Sequence, residues 1–337
     1  MRFKYLMLMI GPILLAVGYW ASVSIPERPV GKLQEAAQEP VDKDGSHLAK
    51  GTDTQRAKID PDGEEGRYEE DGLIVYLEPS ADPRDVLLLL VIRGHRNENY
   101  LSSLRELLAY TSERALVLYL IARLRVDGAY VATEAELLEL QAIDPDNAEV
   151  DVLLAHRAYE NGDTELALQH IQNAAGASGS KAYQAKYLAM LGDAYLRRNG
   201  YLTDKDFVSI IGYGAAYAMP NLSSFDRMCR ENSEHPDWRA ACGGRGEVLF
   251  EFGETVLERV IGAKFATDYL PGDIQHYADY REEIQETLVS LGTELEEIVT
   301  NSDLFIDRQT WEIYVEIYET EGEIPALRYL IDALSNA

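Results

Sequence analysis

Two cysteines and a histidine lie close together in the segment MCRENSEHPDWRAACGG, and they could support either of two kinds of chemistry. Cys229 and Cys242 form an even pair with twelve residues between them, which predicts a disulfide if the chain is exported. Closing a loop of this size should stabilise the fold by roughly 3 kcal/mol. With His235 the same cysteines could instead bind a metal, but a fourth ligand is missing and the cysteine spacing is longer than in structural zinc sites. We therefore predict a disulfide and no metal.

Other catalytic and cofactor-binding patterns are absent from the sequence. It contains no nucleophile elbow, no H-E-x-x-H helix, no phosphate-binding glycine loop and no dinucleotide fingerprint. The glycines of CGGRGE follow a cysteine rather than a strand, and we interpret them as turn and helix-entry residues. None of the six histidines stands in a local motif with Ser or Cys, although a triad assembled from distant segments stays open. The sequence therefore predicts that the protein is not an enzyme and has no cofactor.

The elements that carry these residues are predicted to be α-helices. In LLAHRAYENGDTELALQHIQNAAG, apolar residues recur at spacings of three and four on both sides of Gly162, which is typical of two helices joined at a glycine turn. Ala167 and Ala174 lie two turns apart on one face of the second helix. Small side chains at such positions let a neighbouring helix approach closely.

This helix pair recurs at a fixed period. Leu120 and Gly128 lie 34 residues before Leu154 and Gly162. A third copy, YLAMLGDAYLRRNG, contains the pattern Leu-Gly-x-x-Tyr, and the segment WEIYVEIYETEGEIPALRYLIDAL repeats the Trp, Tyr, Gly and Ala positions. These residues resemble the tetratricopeptide repeat, whose unit is 34 residues long, and the run from GSKAYQ to IIGYGAAYA is also similar to the Sel1-type repeat. The resemblance covers about a third of the chain.

The resemblance implies an all-α fold in which helix pairs stack into a superhelix. The domain would span residues 72–337, with its clearest units at 114–147, 148–181, 185–218 and 308–336. The alternative is a non-repetitive α-helical bundle. In tetratricopeptide proteins the first helices of successive pairs line a concave groove that binds peptides or helices of a partner. Carried over unit by unit, this implies a partner-binding groove formed by Arg125, His156, Tyr159, Asp193, Arg197 and Glu316.

A second interpretation of this groove stays open. The segment of about residues 201–270 would fill it, and Arg125 and Arg197 would then pair with carboxylates of the same chain. Further along, the helix predicted for YREEIQETLVSLGTELEEIV (280–299) is apolar down one face and acidic on the rest, which we interpret as solvated surface.

Two apolar runs near the start of the domain are less regular. LIVYLE (73–78) is predicted to be a short strand, because it is the only convincing β-like run. DVLLLLVI (85–92) fits either a buried helix or a strand.

The first 23 residues predict a membrane span. Arg2 and Lys4 precede an unbroken apolar run of nineteen residues, which is enough to cross a bilayer. Cations on the amino side favour an N-terminus in the cytoplasm and export of the rest. Residues 1–23 are therefore predicted to be a retained inner-membrane anchor, with a cleaved signal and a periplasmic product as the alternative. Residues 24–71 are rich in Gly, Pro and charge, which predicts a disordered linker.

The chain is strongly acidic. Its 58 acidic and 31 basic residues give a formal net charge of −27, which repels nucleic acid at long range. The predicted partners are therefore other proteins or peptides, with no nucleic acid. Together these features predict a membrane-anchored periplasmic protein of the bacterial envelope that mediates protein–protein interaction as an adaptor, assembly factor or chaperone. The alternatives are an envelope hydrolase with a non-local active site and a structural spacer in a larger complex.

Overall fold

A computed structural model describes residues 72–94, 99–126, 129–217, 222–272, 275–301 and 305–335. The predicted membrane span of residues 1–23 and the predicted linker of residues 24–71 lie outside these ranges. Within them most residues are helical, so the all-α class is confirmed. Across the same ranges no helix has both the length and the apolar character that a membrane crossing requires.

The described residues form fifteen helices and four two-residue strands, numbered here in chain order. The first eight helices are α1 (Gly72–Leu77), α2 (Pro83–Arg93), α3 (Tyr100–Leu107), α4 (Arg114–Arg123), α5 (Glu134–Ile143), α6 (Ala148–Glu160), α7 (Thr164–Ala175) and α8 (Gln184–Asn199). The other seven are α9 (Asp204–Tyr217), α10 (Leu222–Glu231), α11 (Pro236–Phe252), α12 (Val256–Tyr269), α13 (Gln275–Asn301), α14 (Arg308–Glu321) and α15 (Glu323–Ser335). Two antiparallel pairs join β1 (Arg125–Val126) to β2 (Ala129–Tyr130) and β3 (Leu202–Thr203) to β4 (Phe305–Ile306).

Local sequence signals explain where several helices begin. The side chain of Asp82 accepts a hydrogen bond from the backbone of Arg84, and Pro83 occupies the first position of α2. Thr133 begins α5 and Thr255 begins α12, each in a capping box with the glutamate three residues later. These reciprocal hydrogen bonds satisfy N–H groups that the first helical turn leaves without partners.

The two ambiguous runs near residue 80 are both helical. The strand prediction for LIVYLE is wrong, because this run belongs to α1. Leu73 and Leu77, one helical turn apart, are both buried, and α1 packs on α2 and α8. The contact with two helices outweighs the β-propensity of Ile74 and Val75. DVLLLLVI lies inside α2.

Each of the four predicted repeat ranges contains two consecutive helices that pack on each other. These pairs are α4 with α5, α6 with α7, α8 with α9, and α14 with α15. Contacts between the pairs are less regular, since α7 also packs on α11, and α14 packs on α8. In a simple solenoid each pair would contact only the pairs next to it. The tetratricopeptide-type superhelix therefore stays a prediction.

The hydrophobic core has two main clusters, and α6 contributes to both. The larger cluster is formed chiefly by α1 to α5, α8, α9, α14 and α15. The smaller one is formed by α7, α10, α11 and α12. On α6, Leu153 packs in the larger cluster and Ala155 in the smaller one. Because both faces of α6 are covered, this helix joins the two clusters.

Glycines bring α11 and α12 together at backbone distance. A Cβ atom added to Gly262 of α12 would lie 2.3 Å from the backbone nitrogen of Phe250 in α11. One added to Gly246 of α11 would lie 2.6 Å from the backbone nitrogen of Ala266 in α12. The interpretation of the CGGRGE glycines as turn residues is therefore wrong. They lie inside α11, where a missing side chain permits close helix packing.

A glycine also explains the contact between α8 and α14. A Cβ atom added to Gly192 of α8 would lie 2.1 Å from Cε2 of Trp311 in α14. The indole of Trp311 is buried and stacks on Tyr314, with ring centroids 5.1 Å apart. The Leu-Gly and Trp positions quoted from the repeat pattern thus pack directly on each other, although they belong to different helix pairs.

Candidate functional site

The predicted disulfide is confirmed. Cys229 of α10 is bonded to Cys242 of α11. Both sulfur atoms are used in this bond. It excludes the alternative metal site with His235, because a cysteine binds a metal through its thiolate. Throughout the part of the chain that the structure describes, no group of three or more His, Cys, Asp or Glu side chains is arranged to hold a metal ion.

Two predicted groove residues, Arg125 and His156, contact the same side chain, Tyr130 of the β1–β2 hairpin. The Arg125 guanidinium pairs with Glu160 at 2.9 Å and lies over the ring of Tyr130, 4.1 Å from its centroid. Nδ1 of His156 lies 2.9 Å from the hydroxyl of the same Tyr130. Burial, helped by the charges of Arg125 and Arg227, lowers the pKa of His156 to about 3. His156 is therefore a neutral, buried side chain rather than a cationic contact.

The third groove residue, Tyr159 of α6, is covered by α10 and the residues after it. Its hydroxyl donates to Glu231 at 2.6 Å and accepts from the side chain of Asn232 at 3.2 Å. Its ring meets Trp238 of α11 edge to face, with centroids 6.1 Å apart. This part of the segment 201–270 thus packs over the predicted groove face of α6.

Asp193 and Arg197 of α8 belong to a separate group at the junction of α2, α8 and α14. The Arg197 guanidinium donates to both oxygens of Asp85, at 3.1 and 2.5 Å, and to Asp193 at 3.1 Å. Arg308 of α14 donates to Asp193 at 2.9 Å, and the hydroxyl of Ser80 donates to Asp85 at 2.7 Å. Burial raises the pKa of Asp85, but the hydrogen bonds and charges around it outweigh burial and lower it below its usual value.

A second buried carboxylate lies nearby. Glu113 accepts from Nε of Arg84 at 3.0 Å and pairs with Nζ of Lys186 at 2.7 Å. Burial raises the pKa of Glu113, and Lys186 and Arg84 together lower it below its usual value. The groups around Asp85 and Glu113 are called the ionic network below.

The sixth groove residue, Glu316, stands apart from the other five. It is exposed on α14, where its backbone carbonyl accepts from the hydroxyl of Thr320. The six residues thus do not form one group, and the side chains of five of them contact other side chains of the same chain. Their role in binding a partner stays a prediction.

An open cleft of about 440 Å³ lies between α13 and α15. The buried side chains of Leu291 and Ile331 line it and provide apolar surface. Its remaining lining side chains are polar: Glu286, Thr287, Ser290, Glu294, Arg328 and Asp332. An exposed cleft with apolar surface and a surplus of carboxylates can accept an aliphatic side chain flanked by cations.

The sequence did not reveal this cleft. Its α13 carboxylates, Glu286 and Glu294, belong to the acidic face that was interpreted as solvated surface. The missing information is that α15 packs beside α13, a contact between segments that are far apart in the chain. The spacing of the two glutamates on one helix face was the only available signal.

Another polar group is buried where α6, α11 and α12 meet. Arg245 of α11 donates to the carboxylate of Glu149 in α6 and, at 3.1 Å, to the hydroxyl of Ser180. Glu254 precedes α12 and accepts from the backbone N–H of Gln184, the first residue of α8, at 3.1 Å. This carboxyl group takes the place of a local cap, because no side chain caps α8 from its own N-cap position.

Glu258, in the first turn of α12, completes this group. It accepts from the backbone N–H of Thr255 at 2.9 Å. Burial, together with the charges of Glu254 and Glu149, raises the pKa of Glu258 to about 8. Burial also raises the pKa of Glu254 to about 7. Glu149, Glu254, Glu258 and Arg245 are called the carboxyl cluster below.

In comparisons with protein-family models, with curated proteins and with solved structures, nothing matches this chain.

Proposed function

We propose that the chain is a membrane-anchored envelope protein whose helical domain binds a segment of another protein in the cleft between α13 and α15. The observation that carries this proposal is the cleft itself, which is open, largely polar and of about 440 Å³. Small-molecule sites are usually enclosed and mostly apolar. An open cleft between two helices is better suited to a polypeptide segment.

The partner segment is proposed to carry Lys or Arg beside an aliphatic residue. Among the described residues that line the cleft, three carboxylates, Glu286, Glu294 and Asp332, face one cation, Arg328. The whole chain carries a formal charge of −27, so a cationic segment is also attracted at long range. The aliphatic residue would contact the apolar surface of the cleft. Such binding weakens as salt is added, because exposed charges are screened.

The anchor, the linker and the tetratricopeptide-type superhelix belong to the same proposal. The N-terminal cations and apolar run support an inner-membrane anchor with the helical domain in the periplasm. The four helix pairs at the expected ranges support a repeat architecture. An adaptor, assembly factor or chaperone would use this arrangement to hold a partner near the membrane.

Site-specific photocrosslinking tests this function. A photoreactive amino acid at Thr287, inside the cleft, should crosslink in intact membranes to peptides that contain Lys or Arg, identified by mass spectrometry. The same probe in a chain with Glu286→Lys and Glu294→Lys should lose these products. The matched control carries Glu283→Lys and Glu297→Lys, which change the charge equally at exposed α13 positions outside the cleft. Equal crosslinking in all three chains, or none in the unchanged one, would contradict the proposal.

A further inference from the structure

The carboxyl cluster lies between the two hydrophobic clusters. Glu149 belongs to α6, which lines both, and Arg245 belongs to α11 of the smaller cluster. Glu254 accepts from the first amide of α8, a helix of the larger cluster. Glu258 lies in the first turn of α12, which packs closely on α11. Side chains of this one group therefore connect helices of both hydrophobic clusters.

The charges within this group do not balance. Glu149 and Glu258 are 4% and 2% exposed, and Glu254 is 9% exposed. Arg245, 2% exposed, directs one nitrogen to Glu149. Oε1 of Glu258 is buried with no hydrogen-bond partner among the described residues. If all three carboxyl groups were ionised, two buried negative charges would lack a direct ion pair, which is strongly unfavourable.

Within the described ranges, the elements around the cluster do not supply the missing cations. Lys181, before α8, acts on Glu254 through its charge but is exposed. Arg259 of α12 donates to the carbonyl of Gly253, and its charge acts on Glu323 of α15. The buried groups that face the cluster from α4, α9 and α14 are Arg123, Tyr119, Tyr217 and Tyr318.

Arg123 is the one cation among these four groups, but its contacts are with other residues. It donates to the carbonyl of Tyr217 at 3.1 Å and lies over the rings of Tyr119 and Tyr217. Burial raises the pKa values of Tyr119 and Tyr217 well above their usual value, so both stay neutral. Protonation of Glu254 and Glu258 is therefore the available way to remove the excess negative charge.

We propose that Glu254 and Glu258 form a pH-sensitive joint, which holds the two hydrophobic clusters together while both are protonated and loosens when they ionise. The pKa values of about 7 and about 8, against an ordinary 4.5, set the window of this change. Both pKa values are raised in the folded state, so the folded chain binds more protons than the unfolded chain between about pH 4.5 and pH 8. The stability contributed by the joint is fully present below about pH 4.5 and decreases as the pH rises from there to about 8.

Thermal unfolding of the full-length chain from pH 5.5 to 8.5 tests the joint. The Tm of the unchanged chain should fall by on the order of 10 °C over this range. In the double variant Glu254→Gln with Glu258→Gln, whose amides remain neutral, at least half of this fall should disappear. The matched control is Glu251→Gln, which removes an exposed carboxylate of α11 and should leave the fall unchanged.

Hydrogen–deuterium exchange locates the change within the chain. After correction for the intrinsic effect of pH, amides at the starts of α8 and α12 should exchange about tenfold faster at pH 8 than at pH 6. A tenfold change in the opening equilibrium has the same free energy as a shift of about one pKa unit. Amides at the centre of α14 should show no such change. Equal exchange at both pH values would overturn the proposal.

Carbon NMR of the unchanged chain, labelled at glutamate carboxyl carbons, tests the titration of Glu254 and Glu258 even if the double variant does not fold. Two carboxyl signals that titrate between about pH 6 and 8 are expected. One of them should be missing from the single variant Glu254→Gln and the other from Glu258→Gln, wherever the variant folds. If every glutamate titrates below about pH 5.5, or if the Tm falls equally in the double variant, the joint does not exist.

Discussion

The ionic network and the carboxyl cluster both bury carboxyl groups, but their protonation states differ. Asp85 pairs with Arg197, Glu113 pairs with Arg84 and Lys186, and the pKa values of both carboxyl groups lie below the usual range. Among the described residues no cation pairs directly with Glu254 or Glu258, and burial raises their pKa values. Burial acts in the same direction at both places. The presence of a hydrogen-bonding cation therefore distinguishes the buried carboxyl groups with lowered pKa values from those with raised ones.

Loss of Arg245, the one cation among the described residues that pairs directly with the carboxyl cluster, should lower stability the most. In Arg245→Met, the carboxylate of Glu149 would remain buried without its ion pair, which should lower the free energy of unfolding by about 3–5 kcal/mol. Urea denaturation at pH 7 measures this change. The double variant with Glu149→Gln should recover part of the loss, since the second change removes the buried charge. A single-variant loss below about 1 kcal/mol would show that this pair is not buried as described.

A substitution that separates α11 from α12 should lower stability by an intermediate amount. In Gly262→Ala, the new methyl group would overlap the backbone nitrogen of Phe250, and the shift of helices should lower the free energy of unfolding by about 1–3 kcal/mol. Water would also reach Glu258 more easily, so the pH dependence of Tm should become weaker. Gly176→Ala is the control, because its added Cβ has only ordinary contacts of 3.6 and 3.8 Å. Equal stability of the two variants would contradict the close helix contact.

Loss of a cation from the ionic network should have the smallest effect and the opposite pH dependence. Arg197 is 32% exposed, so Arg197→Met should lower the free energy of unfolding at pH 7 by only about 1–2 kcal/mol. The lowered pKa of Asp85 means that this stabilisation is present above about pH 4 and is lost as the pH falls further. Urea denaturation at pH 7 and pH 3 should therefore show a larger difference from the unchanged chain at pH 7 than at pH 3.

A control for this last variant lies in the same network. Arg308→Met removes a cation that is 49% exposed and should change the free energy of unfolding by less than about 1 kcal/mol. A larger loss in Arg308→Met than in Arg197→Met would reverse the proposed order. It would also show that burial of Asp85 is not the source of the difference.

Much of the local structure could be predicted from the sequence. The periodicity of LLAHRAYENGDTELALQHIQNAAG predicted α6, the turn at Gly162 and α7, and these elements are present. The spacing of Cys229 and Cys242 predicted the disulfide. Both signals are local, because they depend on residues that are close in the chain.

The features that matter most for the proposals depend on distant segments. The sequence T-V-L-E at residues 255–258 indicates a capping box, which is usually solvated, and nothing in it shows that α6 and α11 bury Glu258. For Arg125 and Arg197 the sequence left open a partner-binding groove or pairing with carboxylates of the same chain. The identity of their partners, Glu160 and Asp85, depends on how the helix pairs pack. The glycines of CGGRGE were misread for the same reason, since their role is set by α12.

The packing of Trp311 on Gly192 affects how the chain can fold during its synthesis. Asp193 and Arg308, at the same helix contact, are 115 residues apart in the sequence. A chain that leaves the ribosome or a membrane translocase from its amino end presents α8 long before α14 arrives to cover it. During this interval the face of α8 at Gly192 lacks the Trp311 side chain that covers it in the folded domain. The last helical hairpin therefore determines when the middle of the domain can become native.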